Sequence, residues 1–393
     1  AEAPPAEAEV GPAAEAEGAP PAEAEGAPPA EAEGAPAEAK GAPPAPDEIA
    51  AEKPEPAQEP WLLDLCGADV LLTRARGGKL VDRHARPTRL KAGRGRVGNA
   101  DDGVWVPHLI AWLAAPWPSA YAVAAARRLG LSLTGSADGS AALRLGALSV
   151  SLTDALTASL SDLPTDGGGA ATVIVPAGLS TSAEASLVSA LAAVGLTPAT
   201  LLPDAVALLA RLRKPLATGA LAAVVDTGLF AARATLVVAP AQVRAVRADL
   251  GAGLWDADEL LLNRAEVAYL RQHALDIESD DTLRDTLARQ VGALRRAGAR
   301  TAWKLSVGGK DLEIPAAQVA RWCEPLSERL ALTVDAVLVA AGHHAGQLAA
   351  LVLASEEPLW PGAAQTMAAL LGTAPLIVPP TAEVRLAGAL PSL

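Results

Sequence analysis

Apolar and polar positions along this chain fall into short runs with two different periods. From Leu221 to Pro240 it reads LAAVVDTGLFAARATLVVAP: an apolar run climbs to Val225, meets Asp226, turns through Thr227 and Gly228, and resumes through Val238. Two such runs about a small-residue turn predict a β-hairpin. Asp226 then either caps the turn or faces a ligand held in the bend. The stretch from Trp61 to Arg83, WLLDLCGADVLLTRARGGKLVDR, repeats the grammar: strand, Asp64, a turn containing Gly67, a second strand, a Gly77-Gly78 turn and a third strand. Recurrence of one unit predicts two lobes built alike.

Between the hairpins, ATVIVPAGLS predicts a buried strand and a loop, and STSAEASLVSALAAVGL a helix that starts on Ser or Thr and ends at Gly195. Further on, LWDADELLLNRAEVAYLRQHAL and DDTLRDTLARQVGALRRAGARTAWKL space apolar groups three and four apart, the helical period. AVLVAAGHHAGQLAALVLA reads as a strand, a glycine turn and a helix. The order is that of an α/β protein with a hairpin opening each half.

Composition changes this picture at one place. The chain has 393 residues and is 51% hydrophobic, enough for two or three domains with a core. Before Trp61, however, Ala, Glu, Pro and Gly make up almost everything, and AEAEGAPP recurs with Gly18, Gly26 and Gly34 in register. No bulky apolar group is available there to offset the entropy of ordering, so residues 1–60 are expected to be a disordered tail or tether whose amides exchange unprotected. Much of the net charge of −13 sits in this tail, and the remainder is close to balanced and richer in Arg than in Lys.

Charge and motifs exclude several function classes. The Arg-rich patch from Arg83 to Arg96 is the one candidate for nucleic acid and lacks interleaved aromatics, so no nucleic-acid partner is expected. Cys66 and Cys323 have neither a CxxC partner nor a histidine at metal spacing. The longest uncharged stretch, Gly103 to Ala126, is broken by Pro107, Pro116 and Pro118, which argues against a membrane span. With no leader visible ahead of Ala1, the N-terminus reads as incomplete and a cytoplasmic location is expected. Gly93, Gly95 and Gly98 match GxGxxG without a buried strand leading in, and no GxSxG elbow occurs.

From Trp61 onward the residues resemble, in order, the nucleotide-binding domain of the seventy-kilodalton heat-shock (DnaK-type) chaperones. LLDLCGADV and VVDTGLFAARATLVV are similar to that family's two phosphate loops, Asp-Leu-Gly-Thr-Thr and Asp-Leu-Gly-Gly-Gly-Thr. RPTRLKAGRGRVGNA, VIVPAGLSTSAEASLVSALAAVGL, LLPDAVALL and LGAGLWDADELLL resemble the segments between and after them. AVLVAAGHHAG stands where Leu-Val-Gly-Gly-Ser-Thr-Arg is usual, and VPPTAEVRLAGAL where the closing Gly-Ala helix is usual. The resemblance implies a two-lobed actin-like ATPase (ribonuclease-H-like) fold with duplicated lobes, the first over 61–217 and the second over 218–393, the last helix returning to the first.

It also implies a site. In the family ATP or ADP binds with Mg2+ between the lobes. Asp64 and Asp226 would hold the hydrated metal through water and order the attacking water. Gly67 and Gly228 would present backbone N–H groups to phosphate, Gly342 and His344 would lie at the adenosine, and Arg127 is the nearest echo of a catalytic lysine. Departures crowd this same site. Cys66, Leu229 and Phe230 replace loop glycines, Gly67, Ala68 and Ala231 replace hydroxyls, and Ala299 and Ala302 stand at the adenine anchors, with Trp303 close by. No lysine lies between Lys91 and Lys214. A phosphate-cradling turn needs glycine for close approach, so bulky groups there predict a pseudo-ATPase that works as a scaffold for protein partners. The alternative is a weakly active ATPase whose lobes close on nucleotide. The chain stops soon after the closing helix, and no client-peptide domain is expected.

Overall fold

The computed structural model describes residues 59–67, 69–93, 96–106, 109–110, 123, 126–127, 129–135, 141–165, 168–298, 301–355, 357–379 and 381–390. The chain divides into Ala1–Glu55 and Pro56–Leu393, and the architecture below is that of the second unit. The tether expected over 1–60 lies outside the described residues except for Glu59 and Pro60, as do Ala68, Ala299 and most of the Gly103–Ala126 stretch.

Two five-stranded mixed sheets form the frame. The first contains β1 (Trp61–Asp64), β2 (Asp69–Arg76), β3 (Lys79–Pro87), β4 (Gly169–Val175) and β5 (Leu196–Pro203), in the order β5-β4-β1-β2-β3. β1 pairs antiparallel with β2 and parallel with β4. The second contains β6 (Leu221–Thr227), β7 (Ala232–Val238), β8 (Gln242–Asp249), β9 (Leu348–Ser355) and β10 (Leu376–Val378), in the order β8-β7-β6-β9-β10. β6 pairs antiparallel with β7 and parallel with β9. The sheets are the same construction made twice: a three-strand meander whose first strand then takes two parallel neighbours. The Trp61 and Leu221 hairpins open separate sheets, as the repeated pattern predicts.

Helices connect the parallel strands. In the first lobe these are α1 (Leu152–Leu160), α2 (Thr181–Ala193) and α3 (Asp204–Leu209). Ser180 caps α2, its hydroxyl accepting from Ala183 N at 3.2 Å. The second lobe has α4 (Leu254–His273), α5 (Asp281–Arg296), α6 (Ala316–Trp322), α7 (Glu324–Ala340), α8 (Ala363–Leu371) and α9 (Ala382–Ala389). Arg89–Gly93 pairs antiparallel with Arg96–Asn99, so Gly93 and Gly98 of the GxGxxG spacing lie on paired strands. None of the described helices is long and apolar enough to cross a membrane.

Period-2 alternation on the central strands divides the core. Trp61 and Leu63 face the first-lobe core, while Leu62 between them faces the other way. Likewise Ala223 and Val225 point into the second-lobe core, and Ala222 and Val224 point away from it. Those opposite faces share a third cluster with α3 and α9. Both sheets therefore bury both faces, which is why β1 and β6 read as continuous apolar runs. α9 crosses α3 at backbone contact: a Cβ on Gly388 would lie 1.9 Å from the Ala207 carbonyl oxygen, so only glycine fits.

Two elements differ from the sequence reading. The helix expected through RTAWKL ends at Arg296, and Trp303–Val307 is a strand paired with Lys310–Ile314. Its burial alternates, with Trp303, Leu305 and Val307 inside, a period-2 pattern that the preceding helical run masked. AVLVAAGHHAGQLAALVLA is a helix end, a turn and a strand, the reverse of the expected order. Leu330, Val334, Val337 and Leu338 continue the helical stripe begun at Leu326. LAALVLAS is a central strand without alternation, and an apolar run of that kind has no period to distinguish it from helix.

Candidate functional site

The first strands of the two sheets end at carboxylates that converge on the joint. Asp64 closes β1 and is fully buried. Its Oδ1 accepts from Cys66 N at 2.8 Å and its Oδ2 from Arg385 Nε of α9 at 2.8 Å. Asp226 lies one residue before the end of β6, and its Oδ2 accepts from Arg233 Nη2 at 3.2 Å. That contact follows from register, because Arg233 stands directly opposite Asp226 on β7. The same Nη2 donates to Asp204 Oδ2, and Asp204 Oδ1 accepts from Ala177 N at 3.1 Å and Ala205 N at 2.8 Å. Asp204 opens α3, so a carboxylate from the crossover segment joins those from the two hairpins.

Burial pushes the Asp64 carboxyl above the usual aspartate value. Arg385 and the Cys66 amide pull it back, and the nearby Asp204 charge raises it again. Burial, followed by the Asp204 and Asp64 charges, pushes the Cys66 thiol well above its ordinary value. A thiol kept protonated is a poor nucleophile. The arrangement is an internal ion-pair network in which an arginine N–H group reaches one oxygen of each aspartate.

The turn after Asp226 is filled by protein. Gly228 N donates to Ala231 O at 3.0 Å, and Gly228 O and Leu229 O accept from Leu254 N and Trp255 N, each at 3.0 Å. Phe230 is 4% exposed and packs in the first-lobe core, edge-on to Trp255 with ring centroids 5.0 Å apart. A Cβ on Gly253 would come within 2.6 Å of the Phe230–Ala231 peptide, so the start of α4 abuts the turn. Gly67 is buried in the turn after β1. These residues do not fit Mg2+-ATP: a guanidinium covers Asp64, and an aromatic ring and a helix start occupy the second loop.

Other sequence candidates lie elsewhere. Gly342 and His344 sit in the turn before β9, at the Leu348 end, which pairs with Leu221. Asp226 pairs with Ala354 at the other end of the same strands, roughly 20 Å away at 3.3 Å per residue. His344 is exposed, and its backbone N donates to Gln347 Oε1 at 3.0 Å. His344 thus lies at the opposite end of these strands from Asp226, because the turn precedes β9 instead of following a strand. Arg127 is exposed, with neighbours largely outside the described residues. Ala302 immediately precedes the strand that begins at the buried Trp303, so the adenine-anchor helix expected there is absent among the described residues.

Sequence reasoning missed four residues. Asp204, Arg233 and Arg385 complete the network just described. Arg295 of α5 is 2% exposed, donates to Asp258, to Glu357 Oε2 at 2.6 Å and to Pro358 O at 3.1 Å, and ties α5 to α4 and to the loop after β9. That loop leaves the Asp226 end of the sheet, where Ser355 Oγ donates to Thr227 O at 3.3 Å. The signal was an arginine that continues the four-residue spacing of Leu287 and Val291, at a core position of an otherwise apolar stripe. Among the described residues no group of three or more His, Cys, Asp or Glu is placed to hold a metal ion.

Duplicated α/β lobes with strand ends meeting at a carboxylate cluster are compatible with an actin-like ATPase fold. No protein-family model matches the chain, and comparison with curated proteins gives no match either.

Proposed function

We propose that this chain is a heat-shock-70-like relative whose nucleotide site has been converted into an internal joint, leaving a pseudo-ATPase that serves as an interaction scaffold for protein partners. The observation that carries the reading is the buried Arg385–Asp64 pair. In the family that the sequence resembles, this aspartate works through a hydrated dication. Here a guanidinium supplies the compensating charge from within the chain, and a second one, Arg233, bridges Asp204 and Asp226. Phe230 adds a steric reason, because backbone donors stabilise phosphate only within hydrogen-bond distance.

The second reading, a weakly active ATPase with nucleotide-dependent lobe closure, draws on the retained Asp64 and Asp226. It requires Arg385 to leave a fully buried partner. Thermal or denaturant unfolding of the full chain with about 1 mM Mg2+-ATP separates the two. A site with a dissociation constant of about 10 μM would add about 2.7 kcal/mol of stability. The scaffold reading predicts no shift, and a shift of that size would replace it with the ATPase reading.

A further inference from the structure

A groove on the second lobe, away from the carboxylate joint, lies between α4 and α6 and encloses about 380 Å³. Arg264 and Arg271 stand along one side, with Val267 between them on the same helical face. Trp322 forms the other wall, and the side-chain amides of Gln272 and Gln318 complete the rim. Both arginines are exposed, and among the described residues neither makes an ion pair, whereas Arg284, Arg295 and Arg329 are all paired. Val267 is 43% exposed, so the floor is apolar and open to solvent.

We propose that this groove binds an acidic, proline-containing peptide segment of a partner protein in the extended polyproline conformation. The two guanidiniums are seven residues apart on α4, about 10.5 Å along the helix axis. A polyproline helix brings every third side chain to the same side at about 9.3 Å, so carboxylates three residues apart reach both arginines. Proline rings between them pack on the Trp322 face and on Val267, in the way aromatic-lined grooves hold such helices. Polyproline leaves its backbone carbonyls unbonded, and Gln272 and Gln318 supply amide donors for them. This surface is independent of whether nucleotide binds at the joint.

Fluorescence anisotropy of a labelled peptide of Glu-Ala-Pro repeats, titrated with the full chain, tests the proposal. Saturable binding that weakens with salt is expected. Arg264→Ala with Arg271→Ala should weaken it roughly tenfold, two exposed charge pairs being removed. Arg264→Glu with Arg271→Glu should transfer the preference to Lys-Ala-Pro repeats, and circular dichroism would confirm that each variant is folded. No binding by the unaltered chain, or equal affinity in the double alanine variant, would overturn the proposal. So would tighter binding of single-stranded DNA lost in the same variant, which would make the groove a nucleic-acid surface.

Discussion

At Asp64 two large effects oppose each other. Burial disfavours the charged carboxylate, and the Arg385 guanidinium at 2.8 Å favours it, with burial the larger. Removing one partner of a buried pair typically costs about 3–5 kcal/mol, because the other charge is left uncompensated. Arg385→Met should therefore destabilise the chain by about that amount at pH 7. A carboxyl whose folded-state value is raised favours folding at pH below its unfolded value and loses that contribution as pH rises through the folded one. Without Arg385 the Asp64 value rises further, so the variant can protonate Asp64 more readily on acidification. The stability gap between the variant and the unaltered chain should narrow from pH 7 to about pH 4.5. Denaturant titrations at the two pH values measure this, and a gap that widens toward acid would show that Arg385 does not act through Asp64. The partner of Asp226 was open to a sequence reader, since the hairpin register alone sets Arg233 opposite it. Arg385 was not, because 321 residues separate it from Asp64 and no local pattern links them.

The turn between β6 and β7 ties its own lobe to the other one. Gly228 and Ala231 close the turn, and Phe230 belongs to the core of the other lobe. Phe230→Ala should cost about 3–5 kcal/mol, as for other fully buried aromatics, and should loosen the first lobe although the residue lies in the second. Amide exchange read on β1 and β4 checks the second half of that expectation, and unchanged protection there would confine Phe230 to its own lobe. Hairpins were the most legible elements, since two apolar runs and a glycine turn leave little choice. β9 was the least legible. Its residues LAALVLAS are buried on both faces, so no period separates strand from helix, and the turn holding His343 and His344 precedes this strand instead of following one.

Across the whole molecule, the two sheets share one buried layer in which α3 and α9 lie between them. The duplication was legible because the same strand, aspartate and turn grammar occurs twice. The site was legible only in part. The bulky residues Cys66, Leu229 and Phe230 in the two turns were visible in sequence, whereas the arginines that meet the aspartates come from β7 and from the last helix, and only the fold brings them in. Together they describe a joint closed by its own charges and side chains. Isothermal titration calorimetry of the full chain with Mg2+-ATP tests that account most directly. Losing several charge-assisted contacts of about 1.5–3 kcal/mol each predicts millimolar affinity or weaker, with no measurable heat of binding at micromolar ligand. A dissociation constant at or below about 10 μM, some 7 kcal/mol of binding free energy, would contradict it.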